Sequence, residues 1–126
     1  MIFGIGTDVV EVIRIKDSLD KYGDKLAHKI LTQEEMASYQ ASSRKENFLA
    51  KRFAAKEAFS KALGTGLRGD VNLHAITVAH DDMGKPCFQF NANVSLILSQ
   101  HKINQQHLSI SDEKNIAVAF VVLEKL

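Results

Sequence analysis

Several charged side chains interrupt an apolar, helix-forming segment in the middle of the chain. Residues 48–64 are otherwise mostly Phe, Ala and Leu, yet they include Arg52, Lys56, Glu57 and Lys61. Glu57 and Lys61 are four residues apart, so they lie on one face of the predicted helix. A helix packed into a small core rarely needs this much charge, whereas a site that binds phosphates and a metal ion does.

A second carboxylate lies near the start of the chain, where Asp8 follows a predicted short strand from Ile2 to Ile5. Mg²⁺ prefers oxygen ligands and is usually held by one or two carboxylates together with substrate phosphates. Asp8 and Glu57 could supply such a pair. The basic residues of the helix would then neutralise phosphate oxygens, and arginine could bind them bidentately. The glycines at 64 and 66 would let backbone N–H groups approach a ligand.

The same residues have a plainer structural interpretation. Asp8 could be the N-cap of the next helix. Glu57 and Lys61 could form a surface pair worth a few tenths of a kcal/mol. Gly64 could be only the glycine that ends the helix. Residue types alone favour this alternative, since charges on helices usually form a solvated face.

Composition excludes several classes of protein. With 126 residues, a single domain spanning 1–126 is expected. Apolar and charged fractions of 45% and 25% are typical of a globular protein, and a net charge of +1 provides no general attraction to nucleic acid or to a membrane surface. The one cysteine excludes an intrachain disulfide. No signal peptide or transmembrane segment is evident, so a cytoplasmic location is expected.

Periodicity predicts an α+β fold in which a mostly antiparallel sheet packs against a long helix. Two capping-box patterns, Thr32 with Glu35 and Ser43 with Glu46, predict helix starts. Asn91 or Asn93 is expected to cap a later helix. The predicted helices span about 10–22, 24–31, 44–63 and 92–101, with one more after Thr32; the later strands span 75–80, 86–90, 107–111 and 116–123. The last strand is apolar on both faces, which predicts a central position.

Four motifs in order resemble those of the holo-acyl-carrier-protein synthases. Residues 6–11, GTDVVE, resemble the opening G-x-D-[IV]-x-[ED] of that family, and residues 53–66, FAAKEAFSKALGTG, resemble its central signature. Residues 84–86, GKP, resemble its hairpin turn, and residues 107–111, HLSIS, resemble a later strand. Together they cover nearly the whole chain.

The resemblance implies an enzyme of fatty acid biosynthesis. Such enzymes transfer 4′-phosphopantetheine from coenzyme A to a serine of apo-acyl carrier protein and release adenosine 3′,5′-bisphosphate. By this resemblance Asp8 and Glu57 match the Mg²⁺ ligands. Lys61 matches the lysine that contacts the pyrophosphate and could protonate the leaving group. The base that accepts the serine proton stays open between a metal-bound water and Asp8.

The resemblance also implies coenzyme A contacts and a carrier-protein surface. The matching coenzyme A contacts are Arg52, Lys56, Ser60, Gly64 and Thr65, with Lys85 and Pro86 near the adenosine 3′-phosphate. Asp112 stands where some members have histidine, which leaves its role open. The family is homotrimeric, with sites between subunits. The carrier-binding residues would be Arg14, Lys21 and Lys25, although interleaved aspartates make an ordinary solvated face the better interpretation from residues alone.

Two other classes of function compete with the transferase. A non-catalytic coenzyme A-binding module would bind the nucleotide without modifying a carrier, but it would need no carboxylate pair with Lys61. A nucleic-acid binder would use the basic helix, but the near-zero net charge and the lack of interleaved aromatic and basic residues disfavour it.

Overall fold

The structure, a computed structural model, describes residues 1–126 and contains five strands and five helices. In chain order they are β1 (Ile2–Glu11), α1 (Val12–Tyr22), α2 (Asp24–Ile30), α3 (Gln33–Ala41), α4 (Lys45–Leu63), β2 (Ile76–His80), β3 (Pro86–Phe90), α5 (Ala92–Gln100), β4 (Ile103–Asp112) and β5 (Ile116–Lys125). None of the helices combines the length and apolar character that a membrane span requires.

The strands form two antiparallel sheets. One has the order β1-β5-β4, and the other is the separate hairpin β2–β3. The predicted central position of strand 116–123 is confirmed, because β5 pairs with β1 on one side and β4 on the other. Alternate residues of β5 are fully buried, from Ala117 to Leu123, and α4 packs against β1 and β5. The predicted α+β architecture, a mostly antiparallel sheet against a long helix, is confirmed.

Strand β1 is longer than predicted. The sequence indicated a strand from Ile2 to Ile5, but β1 continues to Glu11 because β5 pairs with it over the whole length, as far as Glu11 opposite Ile116. Asp8 therefore lies within a strand, not after one. Its backbone is held in a paired ladder, opposite Ala119 of β5.

Two glycines let β1 lie directly on α4. A Cβ atom added to Gly6 would stand 2.0 Å from the Ala58 carbonyl oxygen, and one added to Gly4 would stand 2.0 Å from the Ala62 carbonyl oxygen. Real Cβ atoms do not approach so closely, so only glycine permits this spacing between strand and helix. Because alternate strand residues share a face, Asp8 follows Gly4 and Gly6 on the side of β1 that faces α4.

The helix ends mostly follow the predicted signals. The Thr32–Glu35 pair starts α3, with the Thr32 N–H donating to Glu35 Oε1 at 2.8 Å. Gly64 ends α4 with a φ of 90°, and Asn91 caps α5. The predicted Ser43–Glu46 box is wrong: Arg44 is the N-cap residue of α4 and no side chain caps it. The Ser42 hydroxyl accepts from the Arg44 N–H instead.

We predict that Gly6→Ala destabilises the fold by about 3 kcal/mol or more, since the new methyl group must force β1 away from α4. Urea unfolding measures the loss. Asp82→Glu is the matched control, because it adds a methylene to an exposed side chain on the hairpin turn. Equal stability of Gly6→Ala and the wild type would contradict the close contact.

Candidate active site

Asp8 and Lys61 meet where β1 crosses α4. The Lys61 ammonium donates to Asp8 Oδ1 at 3.0 Å and to the Thr7 carbonyl oxygen at 3.0 Å. The alternative that Asp8 caps a helix is wrong, because Asp8 is inside β1 and Glu11 precedes α1. The alternative that Lys61 pairs with Glu57 also fails, since the ion pair of Lys61 is with Asp8.

Glu57 lies one helical turn before Lys61 and shares a cleft with Asp8. This Asp8–Glu57 cleft has a volume of about 380 Å³, and its walls include Arg14 and Phe53. Burial raises the pKa of Glu57, the nearby negative charge of Asp8 raises it further, and Lys61 lowers it. The two carboxylates therefore repel each other across a shared, partly desolvated space.

An arrangement of this kind can hold a divalent cation. A cation between the two carboxylates would relieve the repulsion that raises the Glu57 pKa. No group of three or more His, Cys, Asp and Glu side chains forms a closed metal cage. Two carboxylates with open positions suit an ion such as Mg²⁺, which completes its coordination with water and substrate phosphates.

A second cavity, the Arg52 pocket, lies on another flank of α4. It measures about 240 Å³ and brings Arg52 together with Gly84 and Pro86 of the hairpin turn and with Asp112 at the end of β4. Arg52 is 7% exposed, and its guanidinium lies over the Phe48 ring with Cζ 4.5 Å from the ring centre. Its Nη1 donates to the Val78 carbonyl oxygen at 3.0 Å, while its Nε has no hydrogen-bond partner.

Lys56 does not reach either cavity, which corrects the expectation that it contacts coenzyme A. Its side chain is fully buried, and its ammonium donates to Glu35 Oε1 at 2.7 Å and to the carbonyl oxygens of Ile30 and Leu73 at 2.8 and 3.0 Å. All three N–H groups are thereby occupied within the protein. The charges of α4 thus divide between an interior cluster and the cleft against β1.

Ser60 and the loop after α4 are also committed to internal bonds. Ser60 is fully buried and its hydroxyl donates to the Glu57 carbonyl oxygen at 2.7 Å, so the expected coenzyme A contact is not supported. The N–H groups of Gly64, Thr65 and Gly66 all donate to the Ser60 carbonyl oxygen. These hydrogen bonds close the end of the helix. The three N–H groups are therefore not free to bind a phosphate, contrary to the prediction from the glycine spacing. Ligand contacts of Gly64 and Thr65 stay a prediction.

The remaining predicted residues lie at the surface. Lys85 is exposed on the turn beside the Arg52 pocket, and its N–H donates to Asp81 Oδ1. Arg14 lines the Asp8–Glu57 cleft and pairs with Glu11 at 3.3 Å. Lys21 lies over the ring of Tyr22, at 5.2 Å from its centre, and Lys25 shares a surface cavity with that ring.

Sequence reasoning missed two polar residues of the Arg52 pocket, Lys51 and His80. Lys51 lies 4.0 Å from Asp112. Burial lowers the pKa of His80, and the positive charges of Arg52 and Lys51 lower it further. The adjacency of Lys51 to Arg52 was a usable signal. His80 gave none, since its placement depends on how the β2–β3 hairpin packs.

Comparison with known proteins agrees with this geometry. The family model described as the 4′-phosphopantetheinyl transferase superfamily matches residues 4–121, so the chain belongs to that superfamily. Within it, curated relatives from Nitrosospira multiformis and Nitrosomonas eutropha are named holo-[acyl-carrier-protein] synthase. They are 53% and 54% identical over 125 residues, which is 99% of this chain and all of theirs. The predicted family is confirmed.

Solved structures give the same result. The holo-[acyl-carrier-protein] synthase of Neisseria meningitidis has a TM-score of 0.95 at 47% identity, covering 99% of this chain and 100% of that one. The enzyme of Bacillus anthracis, solved in complex with CoA (3′,5′-ADP), has a TM-score of 0.83 at 42% identity, covering 100% of this chain and 99% of that one. The predicted enzyme class, a phosphopantetheinyl transferase, is confirmed.

We predict opposite shifts in the Glu57 pKa from two substitutions around it. Asp8→Asn lowers the pKa because a neighbouring negative charge is lost, and Lys61→Met raises it because a neighbouring positive charge is lost. Carboxyl carbon NMR titration of Glu57 measures both, with exposed Glu34 as an internal control. If the titration midpoint of Glu57 is the same in both variants as in the wild type, the three groups are not coupled.

Proposed function

We propose that the chain transfers 4′-phosphopantetheine from coenzyme A to a serine of apo-acyl carrier protein, as a Mg²⁺-dependent, cytoplasmic enzyme of fatty acid biosynthesis. The observation that carries the proposal is the Asp8–Glu57 cleft, in which two carboxylates meet beside the Lys61 ammonium. The names of the curated relatives and the coenzyme A complex of the Bacillus anthracis enzyme support the assignment.

The residues of the cleft fit phosphoryl transfer. The serine hydroxyl gives its proton to Asp8 or to a water as its oxygen attacks the phosphorus on the pantetheine side of the pyrophosphate, and the bond to the departing adenosine 3′,5′-bisphosphate breaks. Asp8 and Glu57 would hold Mg²⁺, which supplies positive charge to neutralise the pyrophosphate. Lys61, which is 51% exposed at its side chain, can turn from Asp8 to the leaving phosphate and give it a proton. Positioning and charge neutralisation supply most of the catalysis in such reactions.

The adenosine 3′-phosphate fits the Arg52 pocket. Coenzyme A carries a pyrophosphate and a separate 3′-phosphate, so a second anion site must accompany the cleft. Arg52 lines this pocket and uses only Nη1 in a hydrogen bond within the protein, and Pro86 lines the same pocket beside exposed Lys85. Arginine is well suited to phosphate because its planar donors match phosphate oxygens.

A homotrimer is the proposed assembly. Ile5 and Val9 of β1 and Phe120 of β5 are 59%, 57% and 44% exposed and lie on the sheet face opposite α4. An exposed apolar area of this kind is typical of an interaction surface. The Asp8–Glu57 cleft and the Arg52 pocket have no lining residue in common, which suits a site completed by a neighbouring copy.

Arg14, Lys21 and Lys25 are the proposed contacts for the acyl carrier protein. Arg14 lies at the Asp8–Glu57 cleft, and Lys21 and Lys25 flank exposed Tyr22 on the same helical region. A carrier bound there would bring its serine toward the cleft. Complementary charge at such a surface mainly speeds association and fixes orientation.

The transferase is tested by incubating the protein with coenzyme A, Mg²⁺ and apo-acyl carrier protein and weighing the carrier by mass spectrometry. We expect the mass of one phosphopantetheine arm to be added. Glu57→Gln should be less active by about 100-fold or more, because the substitution removes the negative charge of a proposed metal ligand. Its unfolding curve should be unchanged. Glu34→Gln, at an exposed position of α3, is the matched control.

One result would reject the proposed reaction, and another would reject only the metal role of Glu57. Binding of coenzyme A without any carrier modification would identify a coenzyme A-binding module instead. Normal turnover by Glu57→Gln would leave the transferase standing but remove the metal role of Glu57. Removal of Mg²⁺ by a chelator, followed by its restoration, should abolish and then return the activity.

The trimer is tested by native mass measurement. We predict a species of three times the 14.0 kDa chain mass and its dissociation by Phe120→Glu, because a charge would have to be buried at the interface. Met83→Glu is the control, since Met83 is 91% exposed on the hairpin turn. A wild-type monomer with full activity would overturn the proposed assembly.

A further inference from the structure

Three buried charged residues form a cluster with unequal charge. The buried charge cluster consists of Glu35, Arg52 and Lys56, whose side chains are 1%, 8% and 0% exposed. Lys56 Nζ lies 2.7 Å from Glu35 Oε1, whereas Arg52 Nε lies 3.7 Å from Glu35 Oε2. One carboxylate therefore serves two cations, and the cluster carries one positive charge in excess.

The excess charge is located at Arg52. Lys56 uses its three donors on Glu35, Ile30 and Leu73. Arg52 makes one hydrogen bond, to Val78, and its Nε makes none. A buried charge without a full set of partners is costly. The Nε is enclosed and lies 3.7 Å from Glu35 Oε2, so an anion would meet the guanidinium where Arg52 lines the Arg52 pocket and would add a partner there.

The carboxylate of Glu35 is fixed independently of Lys56. Thr32 donates to Oε1 through its N–H at 2.8 Å and its hydroxyl at 3.2 Å, and the Val78 N–H donates to Oε2 at 2.9 Å. Removal of the Lys56 ammonium would therefore change the charge of the cluster more than the position of Glu35. The pocket's other ion pair, Lys51 with Asp112, contributes one charge of each sign.

We propose that Lys56 is a positioning residue for phosphate recognition: it neutralises Glu35, so that Arg52 presents a full positive charge to the Arg52 pocket. The ligand group is a phosphate monoester, and under the proposed function, on which this inference rests, it is the 3′-phosphate of coenzyme A. Lys56 acts through Arg52 and does not touch the ligand. This explains a fully buried lysine in the middle of α4.

The test compares binding of adenosine 3′,5′-bisphosphate and adenosine 5′-monophosphate by calorimetry, because the ratio of their affinities isolates the 3′-phosphate. Lys56→Met should reduce this ratio by about tenfold, because Glu35 would then neutralise Arg52 and weaken its charge-assisted contact with the 3′-phosphate. Glu35→Gln should increase it. The double variant Glu35→Gln/Lys56→Met again leaves one excess positive charge and should restore the ratio toward the wild-type value.

A purely structural role for Lys56 predicts a different pattern. The double variant would then be no better than Lys56→Met, and that result, like an unchanged ratio in Lys56→Met, would overturn the inference. Should Lys56→Met not fold, Lys56→Gln keeps one donor for the Ile30 carbonyl group and removes the same charge. Lys16→Met, on exposed α1, controls for loss of a remote positive charge.

The outcome is separable from that of the transferase assay. If the wild type binds both nucleotides equally, the Arg52 pocket does not take the 3′-phosphate and the inference fails, while carrier modification is still measured independently. If the carrier is not modified but the charge pattern holds, the proposed reaction fails and the phosphate site stands.

Discussion

The contact of two glycines with the backbone of α4 is the constraint on which the site depends. Gly4 and Gly6 allow β1 to lie on the helix without an intervening layer of side chains. Asp8, the next residue on that face, is thereby held beside Glu57 and Lys61, although about fifty residues separate them along the chain. A larger residue at either glycine would widen this spacing, and the carboxylate pair would separate. The contact that fixes the packing of β1 on α4 therefore also fixes the positions of the reactive side chains.

Helix α4 places charged side chains in two different environments, on two of its flanks. Toward β1 it presents Glu57 to the Asp8–Glu57 cleft and pairs Lys61 with Asp8. Toward α3 and β2 it buries Arg52 and Lys56 around Glu35. The division explains why the helix is buried on most sides yet rich in charge. The small alanines at 58 and 62 let β1 approach the helix closely through Gly6 and Gly4.

Much of this was predictable from local signals, and the rest depended on tertiary contacts. The end of α4 at Gly64, the Thr32–Glu35 cap and the central β5 follow from residue type and periodicity. The length of β1 does not, because β5 imposes it. The burial of Lys56 could not be read from α4 alone, since its partners lie on α2, α3 and the loop before β2. Motif matching found the helix charges but could not separate ligand contacts from interior ones.

The two-stranded sheet β2–β3 has a further consequence for the protein's behaviour in a crowded cell. A short hairpin with an open edge invites pairing with strands of other chains. Here the middle of the β2 edge is already occupied. The Val78 N–H donates a hydrogen bond to Glu35, and the Val78 carbonyl oxygen accepts one from the Arg52 guanidinium. Side chains thus take the place of a third strand. The hydrogen bonds that hold Glu35 and Arg52 in place therefore leave Val78 no free backbone group for pairing with another chain.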